Sequence, residues 1–359
     1  MRLASRAPGR TTQDRVLDYT YIKLLLVSLA ARAFSVPTWS TNSGVGPKVS
    51  GQASAVDASG RVLLFGGLTG SAGSPATDEL WAYEDSQWSQ LTTEGGPGPR
   101  MYAAAAALGD SLYVLGGWDP GAPGSGGSFK DEAWKLDLGS MRWSRLAKPM
   151  PCGAVSRHTA CTVGERIVVH TFRSTVVVEA DGSMREQPTT GEAPDGLSMC
   201  AAAPLGDEAM LVFGGSTKTQ GFSGDVYVLD TRSWRWRKLR PAGGDGVAPS
   251  PRGSACAAAV DEATCVVFGG AGVGKRGYDG GKGLVAFDET WRLRVDGDDA
   301  VWELLLAEAT DGGREADDTP SARVAASLSP LPDGGGLLLH GGWMPATKET
   351  FDVSYILDL

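Results

Sequence analysis

The sequence predicts an all-β fold, a six-bladed β-propeller, and three observations point to it. The first is a pair of glycines that closes a short apolar run five times along the 359 residues. The second is an aromatic residue in the strand that follows each pair. The third is a turn-rich composition, with 50 glycines and 20 prolines beside 11 tryptophans. The glycine pairs are Gly66-Gly67, Gly116-Gly117, Gly214-Gly215, Gly269-Gly270 and Gly341-Gly342.

Each glycine pair belongs to a longer repeating unit that predicts four strands. A strand of small residues leads through a short turn into the apolar strand, and the two glycines let the chain leave that strand at angles other residues avoid. After a variable loop, a third strand begins with an aromatic residue and a fourth carries a tryptophan. Four strands per unit is typical of a propeller blade. The aromatics are Trp81, Trp134, Tyr227, Trp291 and Tyr355, followed by Trp88, Trp143, Trp236 and Trp302.

A sixth unit lies between the second and third glycine pairs and has lost both signatures. Residues 167–170 form its apolar strand, Thr171 and Phe172 replace the glycines, and residues 176–179 form its third strand. No tryptophan follows. Counting this unit gives six blades.

The last unit stops one strand short at Leu359, and an open ring would expose strand edges that natural folds avoid. Trp39 lies ahead of the first unit and has no unit of its own. We therefore expect the segment around Trp39 to supply the missing outer strand, so that the propeller covers residues 37–359. Deleting residues 37–41 is expected to destabilise the fold.

Residues 1–36 are expected to be a separate extension. Their apolar run, residues 24–31, is too short for a transmembrane helix. Small residues around Ala31 and Ala33 suit a secretory cleavage region, and the six basic residues upstream of residue 33 suit an organellar signal, whereas Asp14 and Asp18 argue against both. We expect a cytoplasmic protein and leave targeting open.

Charge and cysteine content exclude some classes of function. The net charge of −9 and the pI near 5.0 argue against nucleic acid as a partner. None of the five cysteines forms a Cys-x-x-Cys pair, so no zinc site is indicated. Buried reduced thiols are the main interpretation, and a Cys256–Cys265 disulfide is the alternative.

These repeats resemble the kelch-repeat family across residues 37–359. The resemblance rests on Gly-Gly after an apolar strand, an aromatic on the third strand, and a tryptophan six residues after an aspartate, as in Asp137 to Trp143 and Asp230 to Trp236. It implies a monomeric scaffold that binds a protein partner. In the kelch-containing ubiquitin-ligase adaptors, arginines at the start of the inner strands bind acidic peptide motifs.

Strand direction predicts which face binds. The links entering the first strands and the loops joining the second and third strands share one side, and these loops are long. The first strands begin with a ring of cations there: Arg100, Arg157, Arg252 and Arg323, with Lys48 in a comparable place. They are expected to bind an acidic segment of a partner. The alternative is that each arginine braces its own blade through loop carbonyls.

Large aromatics join the arginines on this face. Trp118 and Trp343 each follow a glycine pair directly, and exposed aromatics are enriched at binding hot spots. Packing over the blade is the equal alternative. Tyr102 and Tyr278 are weaker candidates.

Little in the sequence suggests catalysis. Of three histidines, His170 and His340 replace a core phenylalanine, and His158 alone is expected at the binding face. The copper and iron motifs of catalytic kelch propellers have no counterpart, so we expect no cofactor and no metal. The alternative function is a small-molecule enzyme or binder, such as a sialate mutarotase, that uses the same arginines against a carboxylated sugar.

Overall fold

In the computed structural model the chain forms a closed ring of six four-stranded antiparallel sheets, as the sequence predicts. The structure describes residues 36–70, 74–123, 126–217, 221–242, 248–273, 284–306 and 318–359. The extension predicted for residues 1–36 therefore lies almost wholly outside the described residues. Within the compact unit Trp39–Asp358, the first strand of blade 1 contacts those of blades 2 and 6, which closes the ring around a central channel.

The first strand of every blade lies at the channel and the fourth lies at the rim. The strands, from first to fourth, are Ala53–Val56, Val62–Leu68, Ala76–Glu84 and Gln87–Leu91 in blade 1; Ala104–Leu108, Ser111–Leu115, Ala133–Asp137 and Arg142–Arg145 in blade 2; Thr159–Val163, Arg166–His170, Thr175–Glu179 and Met184–Gln187 in blade 3; Ala201–Leu205, Ala209–Phe213, Val226–Asp230 and Arg235–Lys238 in blade 4; Cys256–Ala259, Thr264–Phe268, Thr290–Asp296 and Asp299–Leu306 in blade 5; and Ser327–Pro330, Leu337–His340, Ser354–Asp358 and Thr38–Asn42 in blade 6.

Short elements extend these sheets. Thr190–Gly191 and Arg240–Ala242 pair in parallel with the outer strands of blades 4 and 5. They lie on the links that leave blades 3 and 4, so each link is tied to the next blade at the rim. A single 3-10 turn, Pro332–Gly334, is the sole helical element of the described chain.

The first glycine of each pair is required by the neighbouring blade. Gly66 has a φ of 69°, and a Cβ built on it would lie 2.5 Å from the carbonyl oxygen of Arg100 in blade 2. The other four pairs show the same approach, at 2.5–2.7 Å. In blade 3 the chain instead turns tightly, with the Thr171 backbone N–H donating to Ser174. Here the link to the next blade bonds in the other direction, with the Gly196 backbone N–H donating to the carbonyl of Phe172 at 2.7 Å.

In every blade except the third, a tryptophan of the outer strand binds the blade to the one before it. Each packs its ring on the last side chain of the second strand of the previous blade, the position that precedes the glycine pair or, in blade 3, Thr171. The ring pairs, with centroid distances of 4.6–5.6 Å, are Phe65–Trp143, His170–Trp236, Phe213–Trp302, Phe268–Trp39 and His340–Trp88.

Trp39 occupies this position in blade 6 and closes the ring as predicted. Its side chain is 6% exposed, and its indole Nε1 donates to Thr290 Oγ1 at 3.0 Å in blade 5. Its ring also meets Tyr355 edge-on. The segment before the first repeat is therefore the fourth strand of the last blade.

His170 and His340 lie in the core, as their alignment with phenylalanine predicts. Their exposures are 4% and 1%. His340 Nε2 donates to the carbonyl of Pro47 at 2.9 Å, and its Nδ1 accepts from the Ser354 hydroxyl at 2.8 Å. Burial lowers the pKa of both histidines to about 4, so both are neutral near pH 7.

All five cysteines are free thiols, so the alternative Cys256–Cys265 disulfide is not formed. Burial raises the pKa of both thiols to about 12. Cys256 faces Phe268 in the strand pair and Cys265 faces Ala259, which places the two sulfurs at different steps of the hairpin.

We predict that Trp39→Ala lowers the free energy of unfolding by about 3 kcal/mol, because it removes the ring contacts and the hydrogen bond that close the propeller. Urea unfolding followed by fluorescence measures the loss. Phe172→Ala serves as control, since its side chain is 43% exposed, and should change stability by less than about 1 kcal/mol. Equal stability of wild type and Trp39→Ala would contradict this closure.

We predict that stability falls as the pH drops from about 6.5 towards 4. The folded-state pKa of His170 and His340 lies below the ordinary value of 6.5, so the unfolded chain binds more protons in this window. His170→Phe, which restores the residue found in blades 1, 4 and 5, should weaken this dependence. Urea unfolding at pH 7.5, 6 and 5 tests it, and an unchanged slope with pH in His170→Phe would overturn the assignment.

Candidate functional site

One side of the ring, the mouth face, carries the links into the first strands and the loops between second and third strands. Four of these loops form small hairpins that stand on it. The paired segments are Trp118–Asp119 with Ser128–Phe129, Ser216–Thr217 with Gly221–Phe222, Ala271–Val273 with Leu284–Ala286, and Trp343–Met344 with Glu349–Thr350. Tyr278 lies outside the described residues.

Arg100 is buried, at 1% exposure, and its guanidinium is bonded within blade 2. Nε donates to the carbonyl of Gly98 at 3.0 Å, and Nη1 to that of Gly116 at 2.9 Å. Nη2 meets Glu132 Oε1 at 2.6 Å. Burial raises the pKa of Glu132, but the hydrogen bond and charge of Arg100 outweigh it and hold that pKa below its usual range.

Arg252 and Arg323 repeat this arrangement in blades 5 and 6. Both are 1% exposed and donate to the first glycine carbonyl of their own blade, Gly269 at 3.1 Å and Gly341 at 3.3 Å. Arg252 Nη2 also pairs with Glu289 at 2.6 Å. The guanidinium carbon of Arg252 lies 4.0 Å from the centre of the Phe287 ring, and that of Arg323 lies 4.0 Å from the Phe351 ring.

The backbone of each arginine bonds to the preceding blade. The carbonyl of Arg100 accepts from Gly67 N at 2.9 Å, and those of Arg252 and Arg323 accept from Gly215 and Gly270. Each arginine thus joins two blades, through its main chain on one side and its guanidinium on the other. We call this arrangement the arginine clasp. These contacts are the ones expected if each arginine braces its own blade. We therefore do not assign ligand binding to Arg100, Arg252 or Arg323.

Arg157 is different because it lies two residues beyond the clasp position. In blade 3 the carbonyl that meets the preceding glycine pair belongs to Val155, which accepts from Gly117 N at 2.8 Å. Val49 holds the same place in blade 1, one residue after Lys48. This backbone bond fixes which residue of the segment leading into each first strand lies against the preceding blade. Basic residues that align in the sequence therefore do not all occupy the clasp position.

Arg157 belongs instead to a closed ring of backbone hydrogen bonds, the backbone ring, with one residue from each blade. Each N–H donates to the carbonyl of its neighbour in the preceding blade at 2.7–3.0 Å. All six have a positive φ of 52–64°. The members are Gly51, Tyr102, Arg157, Met199, Ser254 and Ala325. Sequence inspection missed the ring, since five of its members are residues that seldom adopt this conformation.

Beside the backbone ring the mouth face holds a cavity of about 510 Å³, the aromatic pocket. It brings together three of the predicted binding residues, Arg157, Trp118 and Trp343, and adds Tyr102. The wall is largely apolar and is completed by Leu68, Pro75 and Met101, among others. The pocket therefore gathers side chains from four consecutive blades, 6, 1, 2 and 3.

The Arg157 guanidinium is held over aromatic rings. Its central carbon lies 4.9 Å from the centre of the Tyr102 ring and 5.6 Å from that of Trp118. It makes no hydrogen bond or ion pair with any described residue. Burial raises the pKa of the Tyr102 hydroxyl, and the charge of Arg157 opposes that shift. The cation is thus positioned and keeps its hydrogen-bond donors available.

His158 lies on the channel side of the backbone ring and faces a cavity of about 130 Å³. Burial lowers its pKa to about 4, so the ring is neutral near pH 7. Both ring nitrogens are buried without a hydrogen-bond partner in the described ranges. His158 does not line the aromatic pocket, whereas Arg157 lines both cavities.

Among the described residues there is no group of three or more His, Cys, Asp or Glu side chains able to hold a metal ion. A search of the same residues finds no helix with the length and apolarity that a membrane span requires.

We predict that Arg252→Ala lowers the free energy of unfolding by about 3 kcal/mol, because it breaks the clasp and leaves Glu289 without its ion-pair partner. Arg157→Ala is the matched comparison and should cost about 1 kcal/mol or less, since it loses only contacts with two half-buried rings. Urea unfolding of both variants measures the difference. Equal losses would show that the clasp has no special structural role.

The comparisons with known proteins agree with this architecture. The family model for the KLHDC2/KLHL20/DRC7 Kelch-repeats domain matches residues 9–181 and 176–359. Kelch domain-containing protein 3 of Homo sapiens is 25% identical over 230 residues, which are 58% of this chain and 58% of that protein. Host cell factor of Drosophila melanogaster is 32% identical over 115 residues, 29% of this chain and 7% of that protein.

A solved structure, "Structure of YjhT", has a TM-score of 0.62 and covers 85% of this chain and 93% of that one. Its sequence identity of 18% makes this a likeness of fold alone. The family assignment rests on sequence, because the kelch-repeat model matches both halves of the chain. The chain therefore belongs to the kelch-repeat family.

Proposed function

We propose that this chain is a protein-interaction module whose aromatic pocket binds an acidic segment of a protein partner. The observation that carries the proposal is the Arg157 guanidinium, which contacts two aromatic rings at the pocket and makes no ion pair with the described residues. Arginine in this state binds carboxylates through paired hydrogen bonds.

The wall of the aromatic pocket indicates which kind of residue lies next to the Asp or Glu of the bound segment. Trp118, Trp343 and Tyr102 offer apolar surface around one cation, the composition typical of interaction hot spots. A cavity of about 510 Å³ accommodates an apolar side chain next to the carboxylate. We therefore expect a segment in which Asp or Glu adjoins an aliphatic or aromatic residue.

Arg100, Arg252 and Arg323 act beneath this surface, since their clasps hold the blade entries in place. His158 supports the floor of the mouth in the neutral form. We assign no catalytic step, cofactor or metal, and we expect a monomer. Five free thiols fit a reducing compartment, so we propose the cytoplasm as the place of binding.

A carboxylated sugar is the alternative ligand, because the same guanidinium faces a concave pocket of small-molecule size. Such a ligand needs polar partners for its hydroxyls. Of the pocket residues, Ser50, Ser74 and Tyr102 offer hydroxyls, while most of the wall is apolar. This composition favours the peptide.

Selection from a displayed library of random peptides tests the proposal. We predict that binders to the wild-type chain are enriched in Asp or Glu beside an apolar residue. A synthetic copy of a selected peptide should bind Arg157→Gln and Trp343→Ala at least tenfold more weakly by fluorescence anisotropy, about 1.4 kcal/mol each. Arg173→Gln is the control, since the Arg173 side chain is 81% exposed and pairs with Asp195 elsewhere.

Binders without acidic residues, or equal binding by Arg157→Gln, would contradict the proposal. Saturable calorimetric binding of N-acetylneuraminate that Arg157→Gln abolishes, with no selected peptide, would favour the carboxylated sugar instead.

A further inference from the structure

We propose that the opposite side of the ring is a second docking surface, which takes an apolar side chain flanked by Lys or Arg from a protein segment. This side, the base face, carries the turns that join first to second strands and third to fourth strands. The channel opens there into a cavity of about 450 Å³, the base cavity.

The base cavity is lined by all six first strands, and its wall is small and apolar. Alanine is the commonest lining residue, as at Ala107, Ala202 and Ala259, and blade 6 contributes Leu328 and Pro330. Asp57 is the one charged lining residue, and it is 7% exposed and paired with Arg61 at 2.8 Å. A charged side chain could not enter without losing its hydration, so the cavity suits an apolar one.

The rim of the base cavity is acidic. The turns between first and second strands carry an exposed carboxylate in four successive blades, and none of these four forms an ion pair with a described residue. They are Asp110, Glu165, Asp207 and Glu262.

The arginines in the turns between first and second strands do not cancel the negative charge at the rim of the base cavity. Arg61 is taken up by Asp57, and the Arg166 guanidinium lies 6.0 Å from the centre of the Trp234 ring. A further carboxylate, Glu208, is paired with Arg232. Four charges of one sign around an apolar opening attract a cationic partner and repel nucleic acid and anionic lipid. The complementary occupant is a basic protein segment whose apolar side chain enters the cavity.

This surface is independent of the aromatic pocket. The two lie at opposite ends of the channel, have opposite charge and share no lining residue. One chain could therefore hold an acidic segment at the mouth face and a basic segment at the base face.

Fluorescence anisotropy with the full chain at 150 mM salt tests the inference, using the labelled peptide Ac-GKRLKRG-NH2 and its match Ac-GKRSKRG-NH2. We expect the leucine peptide to bind at least tenfold more tightly than the serine peptide. The rim variant Asp110→Asn, Glu165→Gln, Asp207→Asn and Glu262→Gln should weaken binding of the leucine peptide at least tenfold.

The control variant neutralises four exposed carboxylates of the mouth face through Asp78→Asn, Asp131→Asn, Asp318→Asn and Glu349→Gln, with the same change in net charge. It should alter binding less than twofold. Three results would each overturn the inference: no saturable binding, equal binding of the two peptides, or equal effects of the rim and control variants.

Discussion

The arginine clasp is the interaction on which the ring most visibly depends. A propeller blade contacts mainly its two neighbours, so the angle between blades must be fixed at each junction. In blades 2, 5 and 6, a buried guanidinium binds the glycine carbonyl of its own blade while its main chain binds the glycine pair of the blade before. The glycine pair of such a blade therefore makes two contacts, one with the arginine of its own blade and one with a carbonyl of the following blade. A side chain on its first residue would occupy the space of the incoming carbonyl.

Junctions without an arginine clasp depend on apolar packing at the same position. Val49, Val155 and Leu197 are buried where the other blades have arginine. The outer-strand tryptophans supply a second layer of contact farther from the channel, and Trp39 extends it to the junction that closes the ring. The ring is thus held at two radii, by hydrogen bonds near the channel and by aromatic rings near the rim.

An arginine at the clasp position is structural, whereas Arg157, two residues after the equivalent position in its blade, faces the pocket. Arg100 lies where its guanidinium makes three hydrogen bonds, to two carbonyls and a carboxylate. Arg157 lies on the backbone ring, where its side chain meets aromatic faces that offer no acceptor for those donors. The same residue type is therefore neutralised in one place and available in the other, and only the second arrangement suits an acidic ligand.

The sequence by itself determined the number of blades, the strands of each and the closing role of Trp39. These features follow from local rules, since strand periodicity and glycine pairs recur in every unit and the missing strand is revealed by counting. The sequence also placed His170 and His340 in the core by alignment with phenylalanine. Only the tertiary structure decided which arginines are available, because two of the three acceptors of both Arg100 and Arg252 lie 16 to 37 residues away along the chain. The aromatic pocket and the backbone ring likewise exist only once several blades are in contact, so no single repeat encodes them.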